Sequence, residues 1–93
     1  MFNRAYYESW LLQLEARELE LSRLILVIDA ELFEVQRIIH MLRELGEEED
    51  FLLGNLLLSQ IRLKNTVERY RDELNNINLD ISHCRFMISR LNQ

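Results

Sequence analysis

The sequence contains no proline, only two glycines and a single cysteine among its 93 residues. Chain reversals between strands depend on glycine and proline, so this scarcity argues against a multi-stranded sheet. One cysteine excludes a framework of disulfides within the chain. No apolar run reaches the roughly 18 residues of a membrane helix, and no signal-peptide pattern opens the chain. The sequence therefore predicts an all-helical protein that is intracellular, either cytoplasmic or nuclear, and not bound to membrane.

The abundant feature is a heptad pattern built largely on nineteen leucines. Apolar residues recur at alternating spacings of three and four over residues 7–42, interrupted only by Glu18. The same spacing returns over residues 53–91, interrupted only by Gln60. A pattern sustained for five or more heptads is typical of a coiled coil.

The two heptad series are separated by a short segment with glycine and acidic residues. Gly46 suits the left-handed conformation that often follows a helix end, and Asn3 is a suitable N-cap for the first helix. Acidic residues favour the first turn of a following helix. We therefore predict one helical domain over residues 1–93, with helix 1 at about 3–45, an acidic turn at 46–50 and helix 2 at about 48–91.

The charge distribution favours an antiparallel helical hairpin. Residues 1–50 carry five basic and twelve acidic side chains, whereas residues 51–93 carry six basic and four acidic ones. Folding the chain back so that paired core positions sum to 95 places opposite charges together on both flanks. The predicted ion pairs are Arg17 with Glu73 or Asp80, Glu15 with Arg85, and Asp29 with Lys64 or Arg71. One continuous coiled-coil helix is the alternative, because the heptad phase continues unchanged through residues 46–50.

Helix 1 carries more apolar surface than one partner helix can cover. Its heptad position b is apolar four times in succession, and the start of helix 2 extends the same face. We predict that these residues form an oligomer interface: Leu12, Leu19, Leu26, Phe33, Leu57 and Ile61. A second copy would complete a four-helix bundle, giving a homodimer. A helical partner of different sequence would satisfy the same physics.

Two polar residues interrupt the predicted core. Glu18 and Gln60 occupy a positions, where polar side chains can fix the register and oligomeric state of a coiled coil. The alternative is that both lie at layers partly open to water, where Glu18 can extend its carboxylate outwards.

Aromatic residues concentrate at the end of the hairpin that holds both termini. Tyr6 and Trp10 are expected beside Phe86 and Met87, and this combination of side chains is typical of protein-binding hot spots. We predict a partner-docking end there, with a plug that closes the end of a bundle as the alternative.

The sequence offers little for catalysis or cofactor binding. It has no Gly-rich phosphate loop and no nucleophile elbow. His40, His83 and Cys84 have no metal-site spacing, so neither metal nor cofactor is expected. A basic stripe on helix 2 contains Arg62, Arg69, His83 and Arg90, but the net charge of −5 argues against nucleic acid. No small-molecule substrate is expected either.

The expected function is therefore non-enzymatic: a coiled-coil scaffold or adaptor subunit that self-associates and docks to a protein partner. Two alternatives stay open. One is a small regulator, a dedicated chaperone or inhibitor that sheathes a helix of one target. The other is a rod-like spacer.

Overall fold

The computed structural model describes residues 2–46 and 51–92, and these form two long helices. Helix α1 is Arg4–Glu44 and helix α2 is Phe51–Leu91, each of 41 residues. The described ranges contain no strand. The predicted all-α helical hairpin is confirmed. The acidic part of the predicted turn, residues 47–50, lies outside the described residues.

Both described ends of α1 follow from local sequence. The side chain of Asn3 accepts a hydrogen bond from the Tyr6 backbone N–H at 3.0 Å, which satisfies one of the free amides of the first turn. At the other end Gly46 has a φ of 77°, a left-handed conformation that costs glycine little. Its N–H donates to the carbonyl of Arg43 at 3.1 Å. The N-cap and the glycine stop predicted from the sequence are both confirmed.

The helices are divided between two compact units, each made of one stretch from either helix. Unit 1 comprises Met1–Arg23 and Arg71–Gln93, and unit 2 comprises Leu24–Tyr70. The prediction of a single domain over residues 1–93 stays a prediction.

Ion pairs within unit 1 establish its register. Arg17 contacts Glu73 through two hydrogen bonds, of 3.0 and 3.1 Å, and Arg85 lies 3.5 Å from Glu15. These residue numbers sum to 90 and 100, on either side of the predicted 95, as expected for the flanks of an antiparallel pair. Two of the predicted ion pairs are thus confirmed, and the predicted pairing of Asp29 stays a prediction. The alternative of one continuous helix is wrong, because a rod cannot bring Arg17 to Glu73 of the same chain.

The core of each unit consists of heptad positions a and d. All eight buried apolar residues belong to the two series recognised in the sequence. Unit 1 buries Tyr7, Leu21, Ile77, Ile81 and Cys84, and unit 2 buries Ile39, Leu53 and Val67. Most other a and d residues are only half-buried. Two helices bury only the seam between them, and both sides of that seam stay open to water. Side chains are therefore completely buried only along the midline of the seam.

No helix within the described residues is both long and apolar enough to cross a membrane.

Candidate functional site

The predicted interface stripe is exposed along α1. Leu12, Leu19, Leu26 and Phe33 have between 53 and 71% of their surface accessible. They recur every seven residues on one helix, so they lie on one face of it. Leu12 and Leu19 belong to unit 1, and Leu26 and Phe33 to unit 2. We call these four residues the α1 stripe.

Helix α2 extends the apolar face only within unit 2. Ile61 is exposed and Leu57 is half-buried. Farther along α2, the positions that continue the Ile61 row are Glu68, Asn75 and Ser82, and all three are exposed. Within unit 1, therefore, the stripe has no apolar counterpart in that row of α2.

The ring contacts at the predicted docking end are defined by the structure, while its role in docking a partner stays a prediction. Tyr6 and Trp10 come together with their ring centroids 6.1 Å apart. Trp10 packs against His83, at 6.4 Å, and none of the ring contacts among the described residues joins Phe86 to it. Phe86 instead lies under the guanidinium of Arg90, 5.7 Å from its ring centroid, and Met87 is half-buried.

His83 belongs to a cluster of rings with Tyr6, Tyr7 and Trp10. The sequence places His83 on the basic stripe of α2, and in the structure its ring contacts that of Tyr7, with 6.0 Å between centroids. The predicted register already indicated the contact between His83 and Trp10, because their residue numbers sum to 93, close to the 95 expected for paired core positions. Phe2 completes the cluster, 4.5 Å from Tyr6 between ring centroids.

The two polar interruptions of the core are not enclosed. Glu18 and Gln60 are both half-buried, and the described residues include no buried polar or charged side chain. A half-exposed carboxylate keeps contact with water and avoids the large cost of complete desolvation. The placement matches the alternative of partly open layers, while a role in register stays a prediction.

An open groove runs beside the seam in unit 2, on the flank of the helices away from the α1 stripe. It has a volume of about 680 Å³. Its apolar wall is formed by Ala30, Val35 and Leu63, and charged side chains stand at its edge. Ala30 and Ser59 are the smallest side chains that line it. The heptad pattern gives no signal for this groove.

Ion pairs occupy much of the charged surface. Arg17 lies 2.9 Å from Glu20 on its own helix as well as contacting Glu73 on α2. Hydrogen bonding to Glu73 is the largest cause that raises the pKa of Arg17. Arg37 pairs with Glu34 at 3.0 Å. These exposed bridges contribute little stability, but the ones between helices select the register.

Cys84 is fully buried at a d position. Burial raises the pKa of its thiol, and the negative charge of Asp80 adds to the shift. The thiolate is the nucleophile, and a raised pKa lowers its population at neutral pH. Cys84 therefore packs as a small core residue and is not placed for covalent chemistry.

The thiol should be protected in the folded protein. We expect a disulfide reagent at about pH 8 to modify Cys84 at least about tenfold more slowly than it modifies free cysteine, because both access and thiolate are scarce. In denaturant the two rates should converge. The absorbance of the thiol released from the reagent measures both reaction rates. If Cys84 of the folded chain reacted as fast as free cysteine, that result would contradict its burial.

The described residues contain no group of three or more His, Cys, Asp or Glu side chains suited to hold a metal ion. The sequence matches no protein-family model, and the chain has no significant similarity to a curated protein or to a solved structure. The function proposed for it therefore rests on its own residues.

Proposed function

We propose that this chain is a non-enzymatic assembly subunit that self-associates along the α1 stripe and docks to a protein partner. The observation that carries the proposal is the exposure of Leu12, Leu19, Leu26 and Phe33 on one helix face. Contiguous apolar patches of this kind are uncommon on soluble monomers and mark association surfaces.

The energetic scale also favours association. Burying one Leu or Phe side chain contributes about 1.5–3 kcal/mol. The six residues of the predicted oligomer interface therefore supply on the order of 10 kcal/mol as an upper bound, before the costs of association. That is comparable with the roughly 8 kcal/mol of a micromolar complex. Surface ion pairs, at about 0–1 kcal/mol each, cannot match it.

Measuring the mass in solution tests the proposal. We expect sedimentation equilibrium at micromolar concentration to give at least twice the 11.3 kDa of one chain, with a thermal melt whose midpoint rises with protein concentration because folding and association are linked. A cooperative melt of a stable 11.3 kDa particle, independent of concentration, would refute self-association.

A regulator that covers one helix of a target protein is the second candidate. The open groove in unit 2 favours it, since an apolar wall with charged edges can receive side chains of a foreign helix. This function predicts a chain that aggregates or folds poorly alone. Far-ultraviolet circular dichroism of the isolated protein separates the two candidates.

A further inference from the structure

Unit 2 carries two apolar features on different flanks of its helix pair. One is its part of the α1 stripe, Leu26 and Phe33, which are 71 and 66% exposed. The other is the open groove, which residues of both helices line. The stripe occupies heptad position b, on the flank of position e, whereas the groove lies beside position g. One copy can therefore offer its stripe to a neighbour while its own groove stays open.

The two edges of the groove carry opposite charges. Glu31 and Glu34 stand on the α1 edge and Arg62 stands on the α2 edge. All three side chains are exposed. Glu34 pairs with Arg37 of its own helix, and within the described residues no ion pair engages Glu31 or Arg62. A helix lying in this groove is therefore favoured when it turns a basic side chain towards α1 and an acidic one towards α2.

The stripe of unit 2 has the matching distribution of charge. Position e, on one side of the stripe, holds Asp29 between Leu26 and Phe33. Position f, on its other side, holds Arg37 one turn after Phe33. Asp29 is half-buried and Arg37 is exposed. The stripe thus has one acidic and one basic flank, as the groove has one acidic and one basic edge.

Only one direction of docking places opposite charges together. When α1 of the docked copy runs parallel to α1 of the receiving copy, the right-handed winding of the helix places Arg37 over Glu31 and Asp29 over Arg62. In the antiparallel direction Arg37 meets Arg62 and Asp29 meets Glu31, so both flanks repel. The charges therefore specify a direction as well as a surface.

We propose that Leu26 and Phe33 of one copy dock into the unit 2 groove of a second copy, with the two α1 helices parallel. This contact rests on the proposed self-association along the α1 stripe and names the surface that receives the stripe. Stripe and groove are different surfaces, so the contact is heterologous and leaves one free groove and one free stripe for further copies. A two-fold dimer in which one stripe meets another would leave the groove empty.

Two full-chain charge reversals test the contact. Glu31→Arg changes the edge of the groove, and Arg37→Glu changes the flank of the stripe. Each variant alone should associate about tenfold more weakly than the unmodified chain, because an attraction across the contact becomes a repulsion. An equal mixture of the two should recover association, since the reversed charges face each other again. Sedimentation equilibrium measures the constants at about 0.01 M salt, where the Debye length is roughly 30 Å.

Glu68→Arg is the matched control. Glu68 is exposed on α2 in the same unit and occupies position b, on the flank away from the groove. The control makes the same chemical change as Glu31→Arg, and it should associate as the unmodified chain does. Circular dichroism of each variant checks that the helices are intact.

Chemical cross-linking gives a second measurement of the same contact. A chain with Glu31→Cys and a chain with Arg37→Cys should be joined by a short thiol-specific cross-linker several-fold faster in a mixture than either chain is joined to itself. Cys84 stays in place because it is fully buried.

Three results would overturn the proposal: charge variants that associate as the unmodified chain does, a mixture that does not recover, or Arg37→Cys chains that are joined preferentially to one another. A dimer that both charge variants retain would overturn the groove contact and leave self-association along the stripe intact. A monomeric unmodified chain would overturn both, and the groove would then be left to a helix of another protein.

Discussion

Replacing Leu19 and Leu26 together by glutamate is expected to yield monomers, or unfolded chain, at concentrations where we expect the unmodified protein to form a dimer. Both side chains are more than half exposed in the single chain, so neither substitution removes core packing. In a two-fold dimer the double change removes four leucines from the interface, at about 1.5–3 kcal/mol each. The total loss of about 6–12 kcal/mol is comparable with the roughly 8 kcal/mol that holds a micromolar dimer together.

Light scattering coupled to size-exclusion chromatography gives the mass, and circular dichroism at the same concentration gives the helix content. Leu79→Glu is the matched control, because Leu79 is as exposed as Leu26 but lies off the α1 stripe. The control should elute as the unmodified chain does. A double variant that keeps the mass of a dimer would show that the α1 stripe is not the interface.

The sequence alone predicted most of the fold because the heptad phase is a purely geometric signal. A strict repeat fixes which side of each helix is buried, and opposite charges on the flanks fix the direction of pairing. The register predicts that Arg17 pairs with Glu73 or Asp80, and the structure pairs it with Glu73. Gly46 supplied the end of the first helix, since a left-handed residue costs glycine almost nothing.

The degree of burial could not be predicted from the same pattern. A heptad frame gives every a and d position equal weight, yet Leu21 and Cys84 are fully buried while Leu91 is exposed. Tyr7 and Leu53 lie close to helix ends and are buried, whereas Ile25 and Leu32 lie far from either end and are only half-buried. Burial therefore depends on the side chains that surround each position, which the period does not record. Leu79 occupies heptad position f, which faces away from the seam, and it is exposed although it is apolar.

The candidate surfaces show a similar limit. Counting surplus apolar positions found the α1 stripe, because a seven-residue repeat lies on one face of any helix. Which rings touch at the terminal end depends on side-chain rotamers, so the period alone does not place the ring of Trp10 against His83. The groove beside Val35 is lined in part by the small residues Ala30 and Ser59, and a count of large apolar positions does not detect it.

Replacing Leu21 by alanine is expected to lower the free energy of unfolding by about 2–5 kcal/mol. Leu21 has no accessible surface, and it is larger than Cys84, the other fully buried side chain among the described residues. Its truncation removes apolar burial and leaves a cavity that rigid helices fill only in part. At roughly 0.05–0.15 kcal/mol per residue, a 93-residue protein has about 5–14 kcal/mol in total. One substitution therefore removes a large fraction of it.

Urea unfolding followed by circular dichroism measures the loss. The comparison must be made at one protein concentration, since association contributes to apparent stability. Leu79→Ala makes the same chemical change at a site that is 70% exposed and should cost no more than about 0.5 kcal/mol. Equal losses for the two variants would mean that Leu21 is not in the core. A small loss for Leu21→Ala with an unchanged loss for Leu79→Ala would mean that the helices close around the cavity, since the cost depends on how far a site collapses.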